Sequence, residues 1–433
     1  MPLMLPSAAL LAILSRPPKQ EEDAGNGTHI TTLQKKDKKK TYPFFRLDDD
    51  HPALHLGKGT RIDFRGRFAI DGTSSEASTE DPTETATIDL GKKRLGVSGE
   101  IVNAVEFQVE AELTSDDPWR DVYAEFKSFD VARVRGGKFK IPFSLDENTG
   151  ASRLDFMFRS LVATHLAPGR DIGAMVHGRV WNKVIGYEAG LFEHDGKNAR
   201  TNNPEKVYGD QTFAGRVTVE PLRNKKDAPG DLSIGVAFTT SDVPEGIPGV
   251  RGHTVLDQPF FSSSKYIVNG NRQRTGVEMA FLPGPASIKA EWIRMETERK
   301  GESVEDTDLS PLVGQGWYVS GTYIVTGEKK SRMPRPKKPL LQGGFGAVEV
   351  GARVESLEFK SGSSADQGST SPRADTVLGN RDQAITLGVN WYVNRFIKVQ
   401  ANFIREKLDD PSQGPLPDQA SFNSRAFRLQ FSF

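Results

Sequence analysis

RVRGGKFKIPFSLDENTGASRLDFMFRSLVATHLAPGR, residues 133–170, joins two kinds of chain in immediate succession. Its first eight residues alternate cations with small or apolar residues. Side chains on a strand alternate between faces, so Arg133 and Arg135 share one face, about 6.6–6.8 Å apart. The Gly136-Gly137 pair is a place for a bulge that resets the alternation. Lys138 and Lys140 would then join the arginine face, with Phe139 opposite. Pro142 ends the strand, and a long polar segment follows with no core of its own. Within it, Leu154, Phe158 and Leu161 fall at helical spacing and predict a short helix. A strand wet on one face, followed by such a loop, suits the wall of a water-filled cavity better than a packed interior.

Composition narrows the choices. A chain of 433 residues ordinarily implies two or three domains, although a single β-barrel can reach that length. Cysteine is absent, which excludes disulfides, thiolate metal sites and cysteine nucleophiles. Lys plus Arg (57) equals Asp plus Glu (57), so preference for a charged partner must come from local arrangement. No apolar run of about 18 residues exists, which excludes a helical membrane span. Leu3 to Leu14 is short and apolar like the core of a secretory signal, without a preceding cation or a clear A-x-A site. Residues 1–15 are therefore read as a candidate signal segment. Residues 16–60, with Lys35, Lys36, Lys38, Lys39 and Lys40, read as a polar, basic N-terminal arm, solvated or briefly helical.

From residue 61 the pattern changes to period two and stays so. Ile62, Phe64 and Phe68 alternate with Arg61, Asp63, Arg65 and Arg67; Phe427, Leu429, Phe431 and Phe433 alternate with Arg428, Gln430 and Ser432. Sixteen such segments are present, near 61–70, 86–98, 103–113, 119–129, 131–140, 170–181, 184–193, 209–220, 231–240, 272–282, 286–298, 315–327, 345–359, 382–393, 395–407 and 424–433. Several run about 10 residues, the length of a tilted strand that crosses a bilayer. Long polar linkers alternate with short turns, and an even count puts both termini on the short-turn side. Residues 61–433 thus read as an all-β, transmembrane antiparallel barrel of sixteen strands. The linker 328–344 breaks the rule, being long, basic and proline-rich on the short side. A soluble sandwich or propeller would also alternate. Against it stand aromatics near strand ends (Phe64, Phe68, Trp292, Trp317, Tyr323, Trp391, Phe431, Phe433) and opposite faces charged along their whole length.

GGKFKIPFSLDENTGASRLDFMFRS, followed by APGRDIG at 167–173, resembles the phosphate-selective porin O and P family. FRLQFSF, ending at Phe433, is similar to the close of bacterial outer-membrane proteins. The resemblance covers roughly residues 60 to 433. It implies an integral outer-membrane protein in contact with lipid, usually a homotrimer, whose third loop folds into the lumen as a constriction. It also implies conduction of small anions, with phosphate or polyphosphate the substrate of the best-known members, and recognition of Phe433 by the barrel assembly machinery. In selective members arginines line a ladder down the pore and lysines sit near the constriction. Arg133, Arg135, Lys138 and Lys140 fit that description, as do Arg65, Arg67, Arg179, Arg216 and Arg353, with Arg153 and Arg159 in the loop. Glu106, Glu110, Glu112, Glu125, Glu349 and Glu355 share those faces and would neutralise the ladder in part or line an opposite wall.

The chemistry of these residue types is consistent with weak anion sites. A guanidinium meets an oxyanion bidentately, an ammonium acts as a point charge, and conduction needs several weak sites rather than one strong one. Ser144, Asn148, Thr149, Ser152 and Ser160 add polar groups to the loop, while Leu154, Phe156, Phe158 and Leu161 would anchor it. No G-x-S-x-G elbow, P-loop or H-E-x-x-H occurs, and His177 reads as a lumen residue, so no enzyme, cofactor or resident metal is expected. Nothing points to nucleic acid. Asp48-Asp49-Asp50 and Glu302–Asp308 read as solvated surface. The expected function is passive diffusion of small anions. The alternatives are a non-selective or weakly cation-preferring porin, and a structural or adhesin barrel.

Overall fold

A computed structural model describes residues 42–433 apart from 49–50, 78–85, 114, 116, 199–210, 224, 226, 247–249, 262–265, 332–333 and 362–367. The candidate signal segment, the lysine cluster at 35–40, Asp49 and Asp50 lie outside the described residues. Sixteen strands follow one another: β1 (Thr60–Ser75), β2 (Ala86–Ile101), β3 (Val105–Glu112), β4 (Trp119–Phe126), β5 (Arg133–Lys140), β6 (Arg170–Val180), β7 (Ile185–Phe192) and β8 (Thr212–Val219). The second half comprises β9 (Gly230–Gly246), β10 (Val268–Pro283), β11 (Ala286–Arg299), β12 (Leu309–Ile324), β13 (Ala347–Ser361), β14 (Asn380–Tyr392), β15 (Ile397–Leu408) and β16 (Ser421–Ser432). Each pairs antiparallel with the next. β16 returns to β1, with Phe431 opposite Phe68 and Phe427 opposite Gly72, and the sheet closes.

Every segment read from the alternation has its strand. The edges differ most in β1, β9 and β12, which run to Ser75, run beyond 240 and begin at Leu309. There the strands continue pairing past the apolar band, where alternation is no longer demanded of the sequence. Side chains are distributed inside out. Val236, Trp292, Trp317, Ile385, Leu387, Phe403 and Phe427 are exposed on the outer wall. Arg272, Arg274, Glu349, Glu355 and Asp382 are buried within. A soluble sandwich would invert this, because water does not tolerate a continuous apolar belt while lipid requires one. The end residue is docked: Gly66 and Phe433 exchange backbone hydrogen bonds of 3.0 Å each. A Cβ on Gly66 would lie 2.4 Å from the Phe433 ring.

The structure corrects several local readings. Part of the supposed arm, Phe44–Asp48 and His51–Gly57, forms two strands that extend the sheet beside the start of β1. Its alternating Phe45, Leu47 and Leu54 carry the strand pattern that the nearby charges obscured. The Gly136-Gly137 pair makes no bulge: β5 stays in register with β6 from Arg133 opposite His177 to Lys140 opposite Arg170. Phe139 therefore shares the side of Arg135, whose guanidinium carbon lies 5.5 Å from its ring centroid. Gly137 is needed for a different reason, since its φ is 129° and a Cβ would lie 2.2 Å from the Val122 carbonyl oxygen. Gly137→Ala is expected to destabilise the β4–β5 pairing by about 1–3 kcal/mol, the scale of enforced backbone strain. A thermal melt of the folded barrel matching wild type would contradict that.

Between β5 and β6 the chain forms two short helices, α1 (Leu145–Asn148) and α2 (Leu161–Leu166). Ser144 and Ser160 cap them by accepting from the Glu147 and Ala163 amides. The helix expected from Leu154, Phe158 and Leu161 thus begins only at Leu161. Residues 154–160 form no helix and run through bends at 155–158 instead, with Leu154, Phe156 and Met157 buried. The basic linker between β12 and β13 is not a merely solvated turn either. Lys330 within it is buried and reaches Asp155 at 2.7 Å.

Candidate functional site

The β5–β6 loop is bonded to inward-facing groups of strands far away in sequence. Glu291 of β11 accepts from the amides of Leu145 (3.1 Å) and Asp146 (3.3 Å). Glu355 of β13 accepts from the Leu161 amide at 2.6 Å, and Arg353 donates to the Phe158 carbonyl at 3.0 Å. Asn402 of β15 accepts from the Met157 amide at 2.8 Å, and Arg428 of β16 donates to the Met157 carbonyl at 3.0 Å. Near the loop's middle, Asp155 takes Lys289 of β11 at 2.7 Å and Lys330 of the basic turn at 2.7 Å. Lys398 of β15 donates to the Leu154 carbonyl at 2.7 Å. The loop is therefore tied to the wall made by β10–β16.

On the inner faces of β1–β4 part of the charge is uncompensated. Inward positions on β1 and β2 are set by register: Ala69 opposes Lys92 and Arg67 opposes Arg94. Arg94 is neutralised by Glu110 (2.9 Å) and Glu112 (2.8 Å). Arg65, Arg67, Lys92 and Arg120 make no ion pair among the described residues. Buried N–H groups of three of them, at Arg65 Nε, Arg67 Nε and Nη2, and Arg120 Nε, meet no acceptor. Arg65, Arg67 and Arg94 line a cavity of about 510 Å³, together with Arg153 of the loop, Arg335 of the basic turn and Arg395. The unsatisfied guanidinium donors of Arg65 and Arg67 beside this cavity form a ready receptor for an oxyanion.

The remaining residues singled out from sequence lie elsewhere and have partners. Arg135 bonds Glu125 at 2.7 Å and lies over the Tyr123 ring at 4.3 Å; Arg133 pairs with Asp130 (3.0 Å) and Glu125 (3.5 Å). His177 joins the same glutamate at 2.9 Å. Lys138 reaches Asp117 at 2.6 Å, away from the arginine face. Lys140 bonds the Glu147 and Thr149 carbonyls, and Arg159 bonds the Thr149 carbonyl at 2.8 Å and Glu147 at 3.3 Å, so both hold the loop's own backbone. Arg216 joins Glu188 (2.9 Å) and Glu278, Arg179 joins Glu220 (2.7 Å), and Arg353 joins Glu355 (2.7 Å). Arg133, Arg179 and Arg216 line a second cavity of about 310 Å³. Loop hydroxyls and amides serve the loop itself, as when Asn148 donates to the Phe143 carbonyl. Lys92 and Arg120 went unselected from sequence. Both sit beside irregularities of pairing, between Ala69 and Asp71 and between Val109 and Ala111, where simple alternation misassigns faces.

Acid is expected to loosen the loop. Burial raises the Glu147 carboxyl, but Arg159, Lys197 and Lys140 overcome it and hold it at about 2. Burial likewise raises Asp155, and Lys289 and Lys330 bring it well below the usual carboxylate range. His165, buried near Lys197, is held down at about 3. A depressed carboxylate stabilises the fold above its unfolded pKa, so the Glu147 contribution disappears as pH falls from 4.5 to about 2. A depressed histidine acts in the same direction, losing stability as pH falls from 6.5 to about 3. Open-channel noise should rise across that interval; a trace equally quiet at pH 2.5 and 7 would contradict it.

A closed sixteen-stranded barrel with an apolar outer belt and a charged interior crossed by a loop defines an outer-membrane porin. The family model described as "Phosphate-selective porin O and P" matches residues 62–433, and the chain belongs to that family. Its place is accordingly in the outer membrane, as an integral protein. Porin O of Pseudomonas aeruginosa is 27% identical over 168 residues, 36% of this chain and 34% of that protein, so the match spans about a third of the relative. Among solved structures, the trimer form of OmpT from Vibrio cholerae is similar with a TM-score of 0.54 and 14% identity, over 87% of this chain and 100% of that one. An anion-selective porin from Comamonas acidovorans gives 0.52 and 11%, over 86% and 100%.

Proposed function

We propose that this porin passes small anions across the outer membrane by passive diffusion. Arg65, Arg67, Lys92 and Arg120, with Arg153 across the cavity, act as its weak successive sites. The observation that carries this is selective neutralisation. The six glutamates singled out from the sequence are occupied: Glu106 by Lys127, Glu110 and Glu112 by Arg94, Glu125 by Arg135, Glu349 by Lys330 and Glu355 by Arg353. The four cations on β1, β2 and β4 are left open. An anion passing them exchanges water for N–H donors that are already desolvated, and no donor set closes around it completely, so it can leave again. Arg133, Arg135, Lys138, Lys140, Arg159, Arg179, Arg216 and Arg353 act in this reading by shaping the walls and holding the loop, not by meeting the anion first.

Phosphate is the proposed preferred anion. The family's name and the similarity to Porin O support it, as does the fit of paired guanidinium forks to a tetrahedral oxyanion. Assembly as a homotrimer is proposed on the likeness to the trimeric OmpT form, and reading of Phe433 by the barrel assembly machinery on its docked terminal position. Single-channel chloride conductance titrated with phosphate tests the preference. Saturable block supports a phosphate site, and strictly additive conductance up to high phosphate would contradict it.

A further inference from the structure

The outer wall carries a second cationic feature, unrelated to the lumen. On β15 the outward side chains run, from the loop end downward, Lys407, Arg405, Phe403, Ala401 and Val399; on β16 they include Arg425, Phe427 and Leu429. Register places Arg405 opposite Ile385 and Asn423, and Phe403 opposite Leu387 and Arg425. Arg405 and Arg425 are thus diagonal neighbours at the boundary where the apolar belt begins, and Lys407 stands one step above. The end in question bears the long loops, opposite both the C-terminal Phe433 and the short turns, so it is the outer-leaflet side.

Their charges are not balanced. Arg405, Lys407 and Arg425 make no ion pair or side-chain hydrogen bond among the described residues. Neighbouring Arg381, by contrast, holds Glu358 at 2.8 Å and Asp409 at 3.5 Å. Two grooves meet at this edge. The upper, about 690 Å³, is lined by Arg381, Arg405 and Lys407 together with Trp292, Trp317 and Ile385. The lower, also about 690 Å³, runs beneath Arg425 between Leu387, Val389, Ala401, Phe403 and Phe427.

An exposed cation on a lipid-facing wall is costly at mid-bilayer and tolerated only near the interface, where it can meet headgroup anions. Three unpaired cations on one patch above apolar grooves match one kind of occupant, an amphiphile with phosphate at its head and acyl chains below. We propose that Arg405, Lys407 and Arg425 form a binding site for a phosphorylated glycolipid of the outer leaflet. Its phosphates lie against the three cations and its acyl chains lie in the grooves beside Phe403 and Ile385. The small side chain of Ala401 leaves the lower groove open to a chain. Occupancy would fix the porin's contact with its surrounding lipid without entering the pore.

The test is native mass spectrometry of the full-length porin in neutral detergent, titrated with diphosphorylated lipid A. Wild type is expected to retain the lipid, and the Arg405→Gln/Lys407→Gln/Arg425→Gln variant to bind it at least about tenfold more weakly. Fully dephosphorylated lipid A should bind wild type as weakly as the intact lipid binds the variant. Arg405→Lys/Arg425→Lys should bind within about threefold of wild type, since the headgroup field needs charge rather than the fork. Unaltered single-channel conductance shows that a variant is folded, and Arg425→Gln alone serves if the triple variant is not. Equal retention by the glutamine variant, or equal affinity for the phosphate-free lipid, would overturn the site. So would loss of oligomer with lipid retention unchanged, which would make the patch an interface between copies of this chain.

Discussion

Replacing Arg65 and Arg67 together by glutamine is expected to remove most of the channel's anion preference while leaving the barrel intact. Both occupy inward positions of β1 beside a cavity of about 510 Å³, and neither makes an ion pair among the described residues. Neutralising them therefore exposes no carboxylate and breaks no hydrogen bond. What disappears is the local field that raises anion concentration, together with donors that replace hydration. The expected change is about tenfold in the anion-to-cation permeability ratio, of the order of one pair of close, partly desolvated charges. Arg133→Gln/Arg135→Gln is the informative contrast. It leaves buried Glu125 with His177 alone and should lower stability more than it alters selectivity. If the two double variants shifted permeability equally, uncompensated charge would not be what sets the preference.

Asp155→Asn is expected to have the largest effect on how the β5–β6 loop is held. Its carboxylate holds Lys289 of the wall and Lys330 of the basic turn, both at 2.7 Å, while Asn390 secures its carbonyl at 2.7 Å. Removing the charge leaves the Lys289 ammonium without its counter-ion and Lys330 with Glu349 alone, and a buried pair that loses one member costs about 3–5 kcal/mol. The loop and the turn lose their common tie. Single-channel records should then show larger, noisier conductance and the thermal midpoint should fall. Lys289→Met, which removes the cation left without a partner, should restore part of the stability in the double variant. A quiet Asp155→Asn channel of wild-type size would contradict the assigned role of this knot.

The barrel was legible in the sequence because lipid demands an apolar residue at every second position, a local signal that no distant contact can erase. The fifth strand and the loop after it could be placed from that count alone. The destiny of each cation was not legible. Whether an inward arginine faces water or a glutamate depends on strands joined only by closure of the sheet. Arg216 finds Glu278 two strands away, and Arg353 finds the Phe158 carbonyl of the β5–β6 loop, distant in sequence. The GGKFK run drew attention as the cationic stretch, yet Arg135 and Arg133 converge on Glu125, while plainer residues on β1, β2 and β4 remain open. The basic turn misled for a similar reason. Its composition is that of a solvated loop, and only Asp155 and Glu349, distant in sequence, draw Lys330 inside.

The most direct measurement is the reversal potential of the wild-type porin across a planar bilayer with a KCl gradient. A potential of the sign set by chloride, diminished in Arg65→Gln/Arg67→Gln, is expected if the open cations of β1, β2 and β4 govern passage. A wild-type potential near zero, or of the sign set by potassium, would contradict it.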